Sequence, residues 1–318
     1  MTAEAAGRPG ASGNWRRILP WAMTGAALLL AAYLLRRIYN EYGWDEISRS
    51  VAEIPIARLA GAAAFAAASY FCLTLFDFLA VRSAGHRLAY RRTALASFSA
   101  LSIGHTVGLA VLSSGAIRYR FYSGWGLKAG DVAKVILFCA ITVGLGLATL
   151  GGIALVAAPE LAVERLGIGA GWVRAVGACA LLAPLAYLAL CAFVRGELRL
   201  RQWHVALPPL KLGLAQVAIG PVNLACVAGC LHQALAATTD IAYLQLLGVY
   251  VVANVTALVS HVPGGLGVIE SVVLALVPGA NVVGGLVLFR LTYFLVPFLI
   301  GLLVLAVAEL ARRVRPGR

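Results

Sequence analysis

One stretch of the sequence places two arginines among aromatic residues, directly after Ser113-Ser114-Gly115. A guanidinium group stays charged and can bind phosphate through two parallel hydrogen bonds, and tyrosine suits the headgroup zone of a membrane. The stretch therefore predicts a site for a phospholipid headgroup, with ordinary anchoring at the membrane surface as the alternative. The residues concerned are Arg118, Tyr119, Arg120 and Tyr122.

A second stretch, from His261 to Glu270, combines proline and glycine inside an apolar region. Pro263 should end the preceding helix, and the glycines after it allow tight turns. A new short helix should then begin within the membrane, where its free N–H groups would favour an anion. The expected break consists of His261, Pro263, Gly264, Gly265 and Gly267.

Three charged residues lie inside predicted spans. Arg290 is nine residues into its apolar run, which places it about 14 Å deep at about 1.5 Å per residue. Such a charge normally faces a partner or a water-filled cavity. Glu270 and Arg290 therefore predict either an ion pair that fixes the helix bundle or a substrate path in which both exchange partners. Asp77 either snorkels towards Arg82 or contributes to the same site.

The elements that position these residues are apolar runs. The 318 residues are 61% hydrophobic and only 12% charged, half the charged fraction of about 25% that is usual in soluble domains. A membrane-spanning helix needs about 20 apolar residues. The runs long enough are Ile18–Leu35, Ala57–Val81, Val132–Ala158, Gly171–Val194, Leu212–Ala236, Ile241–His261 and Asn281–Glu309.

The basic residues predict the orientation of these spans. With both termini in the cytoplasm, 19 of the 26 Lys+Arg fall on the cytoplasmic side and 6 on the other, as the positive-inside rule requires. Segment 93–115 must then enter and leave on one side, and segment 262–279 must be a short or broken crossing. The predicted fold is all-α and polytopic, with about eight transmembrane helices and re-entrant or broken segments at 93–115 and 262–279.

We expect the re-entrant segment to turn near Gly104–Gly108, with His105 at its tip and a further glycine turn at Ser113-Ser114-Gly115. Non-helical backbone cannot face lipid, so both broken segments should be enclosed by other helices or line a polar cavity. Such interrupted helices commonly form the binding sites of transporters. Residues 1–17 are predicted to be a disordered cytoplasmic terminus, 18–309 the transmembrane domain and 310–318 a basic cytoplasmic tail.

Other functional classes find little support. Cys226 and Cys230 lie one helical turn apart near His232, but no second ligand pair accompanies them, and cysteine often serves as a small buried apolar residue. The sequence contains no motif of a soluble enzyme. We therefore predict no catalytic residues, no metal, no cofactor and no nucleic-acid partner, although the net charge is +13.

Residues 112–123, followed by Trp125-Gly126-Leu127, and residues 261–270 resemble the two signatures of one bacterial family. That family is the membrane domain of lysylphosphatidylglycerol synthase/flippase, the multiple peptide resistance factor, and the resemblance covers about residues 20–310. It implies a flippase that moves aminoacylated phosphatidylglycerol between the leaflets of the bacterial inner membrane. It also implies that Arg118, Arg120, Glu270 and the turn from Pro263 to Gly267 are site residues.

The chain ends at Arg318, where the family continues into a soluble aminoacyltransferase domain. The resemblance thus implies a stand-alone flippase form, not an enzyme, whose lipid could also be a hopanoid or a glycolipid. Expected partners are the bilayer and an anionic or aminoacylated phospholipid. A separate lipid synthase and a homodimer remain open. The alternative functions are a scaffold that supports such a synthase and an intramembrane transferase.

Overall fold

Apolar segments of this length fold as helices because lipid offers no partner to an unpaired backbone N–H or C=O group. The computed structural model describes residues 54–107, 110–194, 197–200, 203–260, 262–277 and 282–314. They belong to one compact unit of the chain, Asp45–Arg318. Their α-helices are α1 (Ile56–Ser83), α2 (Tyr90–Val107), α3 (Ala110–Ser123), α4 (Ala129–Ala157), α5 (Glu160–Leu166), α6 (Ala170–Phe193), α7 (Leu210–Leu235), α8 (Tyr243–Ser260), α9 (Val268–Leu276), α10 (Val283–Phe289) and α11 (Val296–Val314).

Six helical segments of the described residues are long and apolar enough to cross a membrane. They are α1, α4, α6, α7, α8 and the continuous segment Val283–Ala311, which contains α10 and most of α11. Each matches one of the apolar runs identified in the sequence, so these spans are confirmed. The first predicted span, Ile18–Leu35, and the N-terminal segment 1–17 lie outside the described residues.

The connection between α6 and α7 contains a structure that the sequence analysis did not predict. Two strands, β1 (Glu197–Leu200) and β2 (Trp203–Ala206), pair antiparallel, with Leu200 opposite Trp203. A hairpin this short leaves the fold all-α. Both strands lie within the predicted cytoplasmic segment 195–211, which connects the spans α6 and α7.

The predicted re-entrant segment consists of two helices that pack against each other. Helix α2 ends at Val107 and α3 begins at Ala110, so Gly104 and His105, which were predicted at the turn, lie in the last turn of α2. The helices are close because Gly104 has no side chain: a Cβ there would lie 2.8 Å from the Cβ of Ser114. Neither helix is among the segments that could span a membrane.

The prediction of a second glycine turn at Ser113-Ser114-Gly115 is wrong. All three residues lie inside helix α3, which continues to Ser123. Gly115 instead allows close packing, since a Cβ at this position would lie 3.1 Å from the Cδ1 of Ile136 on α4. Arg118 and Arg120 therefore both lie on helix α3 and do not follow a loop. Residues two apart on a helix project in different directions, so the two side chains do not point to the same place.

The break predicted in segment 262–279 is confirmed. Helix α8 ends at Ser260, a single 3₁₀ turn covers Pro263–Gly265, and α9 begins at Val268. Gly264, Gly265 and Gly267 have φ angles of 61°, 57° and 75°, values that other residues adopt only at a cost. The glycines therefore determine where the helix is interrupted.

A second irregularity was not predicted. The last apolar run is helical throughout, but Arg290–Leu295 forms a π-helical turn between α10 and α11. The backbone N–H of Val296 accordingly bonds to the carbonyl of Leu291, five residues earlier. Such turns insert one extra residue into a helix and are frequent at functional sites.

Candidate functional site

Asp77 on α1 and Arg118 on α3 form an ion pair in the interior of the protein. The guanidinium donates from Nε to Asp77 Oδ2 at 2.9 Å and from Nη2 to Oδ1 at 2.7 Å. Asp77 is 0% exposed and Arg118 is 2% exposed. This two-point geometry is the strongest form of an arginine–carboxylate contact. Asp77 therefore does not snorkel to the surface but joins the predicted arginine site.

Neutral groups complete the surroundings of this pair. The Tyr122 hydroxyl donates to Asp77 Oδ2 at 2.7 Å, and Arg118 Nη1 donates to Ser114 Oγ at 3.0 Å. The thiol of Cys139 on α4 lies 3.6 Å from Asp77 Oδ1. The charges thus have several partners from α1, α3 and α4, as buried charges require.

Glu270 and Arg290 form a second ion pair at the break between α8 and α9. Arg290 donates from Nε to Glu270 Oε1 and from Nη2 to Oε2, the latter at 2.8 Å. The guanidinium also lies 4.5 Å from the ring centre of Phe294. Of the two interpretations given to these charges, their mutual ion pair is present in the structure.

Arg290 also binds the backbone of the break. Its Nη2 donates to the Gly265 carbonyl at 2.8 Å and its Nη1 donates to the Gly264 carbonyl. The guanidinium thus contacts two carbonyl oxygens besides the carboxylate. The sequence analysis expected N–H groups facing an anion here, whereas these contacts hold a cation. The break, α9 and the π-helical turn meet at this one side chain.

A cluster of hydroxyl and aromatic groups lies where α1, α7 and the π-helical turn meet. The Ser69 hydroxyl donates to Asn223 Oδ1 at 2.8 Å and lies 3.0 Å from the Tyr293 hydroxyl. Tyr70 donates to the Tyr293 carbonyl at 3.2 Å, and the His105 ring stacks on Tyr293 with centroids 6.5 Å apart. Because Ser69 and Asp77 share α1 while Tyr293 and Arg290 share the π-helical turn, this cluster links the elements that carry both pairs.

The last turn of α2 also contacts the break. A Cβ on Gly264 would lie 3.4 Å from the Thr106 carbonyl and 3.5 Å from the His105 carbonyl. The last turn of α2 therefore packs directly on the 3₁₀ turn that Arg290 binds. The structure brings the two segments predicted as broken into contact.

Other predicted residues lie elsewhere. Arg120 pairs with Glu309 near the end of α11, and Tyr119 is 49% exposed. Both are thus apart from the buried Arg118 on the same helix. His261 and Gly108 lie outside the described residues. Among the described residues no group of three or more His, Cys, Asp or Glu could hold a metal ion, and His232 contacts the Ile241 carbonyl.

The sequence analysis missed the uncharged members of the site. Ser69, Tyr70, Asn223 and Tyr293 each lie inside an apolar run, and each is buried. A charged residue such as Asp77 or Arg290 is rare in an apolar run and so indicates a site. A hydroxyl or amide there indicates a site less clearly, because many of these groups only bond the backbone of their own helix. Only the packing of α1, α7 and the π-helical turn brings them together.

With a bundle of apolar helices enclosing these charges, the chain is an all-α polytopic membrane protein. No family model matches it. It is 32% identical over 307 residues to the uncharacterized protein slr0712 of Synechocystis sp., covering 95% of each chain. It is 27% identical over 305 residues to the inner membrane protein YbhN of Escherichia coli, covering 93% of this chain and 94% of the relative. The chain belongs to the same family as slr0712.

Proposed function

We propose that the protein is a lipid translocator of the bacterial inner membrane, with both termini in the cytoplasm. The observation that carries the proposal is the presence of two ion pairs inside the protein, one fully buried and the other, largely buried, built into an interrupted helix. A charge inside a membrane is costly and usually marks a substrate path. The name of the relative YbhN supports the inner-membrane location, and the resemblance to the lysylphosphatidylglycerol flippase family supports the substrate class.

The mechanism that we propose is an exchange of partners. An aminoacylated phosphatidylglycerol carries a phosphate and an amine. The phosphate would replace the Asp77 carboxylate on Arg118, and the amine would replace the Arg290 guanidinium on Glu270. Each ion pair stabilises the empty protein, because it neutralises charges that would otherwise be buried alone. The acyl tails would stay in the bilayer, and no chemical bond changes, so the protein is proposed to be a carrier and not an enzyme.

The test is a leaflet-exposure assay with labelled lipid in reconstituted vesicles. We expect Arg118→Gln and Glu270→Gln to abolish the movement of lysylphosphatidylglycerol, since each removes one of the proposed contacts. Arg174→Gln, an exposed residue at the start of α6, is the matched control and should move lipid at the normal rate. Each variant must elute as a monodisperse species so that lost activity is not lost folding. Normal rates in both site variants would remove these residues from the mechanism.

Two substrate alternatives share the same site. A hopanoid or a glycolipid with a polar headgroup would engage the charges by hydrogen bonds alone. The vesicle assay separates the candidates when each labelled lipid is supplied in turn. If an uncharged glycolipid moved and the aminoacylated lipid did not, the proposed substrate would be wrong, but the proposal that the protein is a translocator would stand.

A scaffold that supports a separate lipid synthase is the second candidate. It is favoured by the number of partners around Asp77, because a pair this well bonded could serve only to fix α1 against α3. Affinity purification under mild detergent distinguishes the two functions. A stable synthase partner, together with an absence of lipid movement by the purified protein, would establish the scaffold.

A further inference from the structure

Four exposed arginines lie together at one end of the helix bundle. Arg82 is in the last turn of α1, Arg87 is in the connection to α2, and Arg91 and Arg92 are in the first turn of α2. We call Arg82, Arg87, Arg91 and Arg92 the arginine surface. All four are exposed, whereas Arg118 and Arg290 are buried. The arginine surface therefore differs in exposure from the buried charges of the proposed site.

The arginine surface has no acidic counterpart in the part of the chain that the structure describes. Between residues 82 and 134 the only acidic side chain is Asp131, which bonds to His86 and lies 3.7 Å from Lys134. Glu309, at the end of α11, pairs with Arg120. No described carboxylate lies within ion-pair distance of the four arginines. Among the described residues, therefore, no carboxylate offsets the charge of the four arginines.

Aromatic rings hold two of these arginines in place. The Arg82 guanidinium lies 4.0 Å from the ring centre of Phe78, and that of Arg92 lies 5.9 Å from Trp125. Stacking leaves the N–H donors at the edge of each guanidinium free to bind phosphate. Trp125 follows α3, so the contact with Arg92 joins the two ends of the re-entrant hairpin. The Tyr90 hydroxyl, bonded to Thr74 on α1, fixes the start of α2 as well.

We propose that the arginine surface binds an anionic phospholipid of the adjacent leaflet and so secures the base of the re-entrant hairpin. The end of a spanning helix lies at the depth of the headgroups, and clustered basic residues at that depth attract anionic lipid. Exposed Arg82 and Arg92 bind the headgroup phosphate while stacked on their rings. Arg87 and Arg91 add charge from the connection and the first turn of α2. The bound lipid is a structural partner and is not translocated.

The experiment measures the thermal midpoint of the purified full chain in nanodiscs of phosphatidylcholine with increasing phosphatidylglycerol. Arg87→Gln/Arg91→Gln is the test variant, because neither side chain has a ring contact to lose. Arg165→Gln/Arg174→Gln is the matched control, since it removes two exposed arginines at the other end of α4. We expect the wild type and the control to gain stability with phosphatidylglycerol. The test variant should need on the order of tenfold more of it for half the gain.

Two outcomes would overturn this proposal. One is an equal response of the test and control variants, which would mean that net charge alone attracts the lipid. The other is a wild-type midpoint that does not depend on phosphatidylglycerol. Because the readout does not involve transport, a response that is weakened only in the test variant would support this proposal even if no lipid moves in the vesicle assay of the proposed function.

Discussion

The two buried ion pairs have the same chemistry but are built on different backbones. Asp77 and Arg118 lie on regular helices, and their further contacts come from the side chains Tyr122, Ser114 and Cys139. Glu270 lies on a helix that begins at a break, and Arg290 completes its contacts with backbone carbonyls. Exposure differs too: the Asp77 side chain is 0% exposed and that of Glu270 is 12% exposed.

This difference indicates what each pair controls. Separating Asp77 from Arg118 would leave the backbone of α1 and α3 intact, because no main-chain group depends on the pair. Separating Arg290 from its partners would remove the hydrogen bonds of the Gly264 and Gly265 carbonyls as well. Carbonyls without partners are expensive in a membrane. The Asp77 pair thus fixes helices, whereas the Glu270 pair also maintains an irregular segment of backbone.

The substitution expected to lower the free energy of unfolding most is that of Asp77. Asp77→Ala leaves the Arg118 guanidinium buried without a counterion, which should lower the free energy of unfolding by about 3–5 kcal/mol. Glu270→Ala should cost less, about 2 kcal/mol, because Arg290 keeps its two carbonyl partners. Equilibrium unfolding in mixed detergent micelles compares the two variants. Equal losses would show that the carbonyls do not compensate for the carboxylate.

A charge-preserving substitution should separate the pairs in the opposite order. Lysine keeps the positive charge but lacks the planar fork of donors. Arg290→Lys should destabilise by about 2 kcal/mol because one ammonium cannot reach the carboxylate and both carbonyls. Arg118→Lys should cost about 1 kcal/mol, since it loses one of the two bonds to Asp77 and the Ser114 contact but no backbone partner. The same unfolding measurement applies. A greater loss for Arg118→Lys would contradict the backbone role of Arg290.

A comparison of two glycines includes the smallest expected effect, which is that of the control. Gly265→Ala places a side chain at a φ of 57°, with its Cβ 3.0 Å from that of Ala257. The cost should be about 1–2 kcal/mol. Gly144→Ala is the control, because it lies within helix α4 with nothing within 4 Å of the added Cβ. It should be neutral or stabilising by up to about 1 kcal/mol. If both variants unfold alike, the break does not depend on its left-handed glycines.

The sequence predicted the spans and the break well because both have strong local causes. Apolar length specifies a spanning helix such as α1, and proline with three glycines interrupts a helix wherever it stands. Gly115 shows the limit of this approach. A glycine after two serines predicts a turn by composition, yet α3 continues through it because the residue permits close packing against Ile136. The packing of Gly115 against α4, and not the local composition, thus accounts for its helical conformation.

The pairing of the charges was predicted in part. Glu270 and Arg290 are 20 residues apart and lie on neighbouring elements, so an ion pair between them was one of the two interpretations. Asp77 and Arg118 are 41 residues apart, and their contact depends on how α2 and α3 pack on α1. No local pattern encodes that packing. The π-helical turn was missed for a related reason, since Arg290–Leu295 reads as an ordinary apolar helix.

The π-helical turn has a consequence for helical phase. One inserted residue rotates everything before it by about 100° relative to a regular helix. The direction in which Arg290 points is therefore set by the turn and not by α11 alone. If the segment were to wind as a regular α-helix, the guanidinium would face a different neighbour without any change in its own rotamer. A single residue of surplus backbone thus determines which partner the Arg290 guanidinium meets.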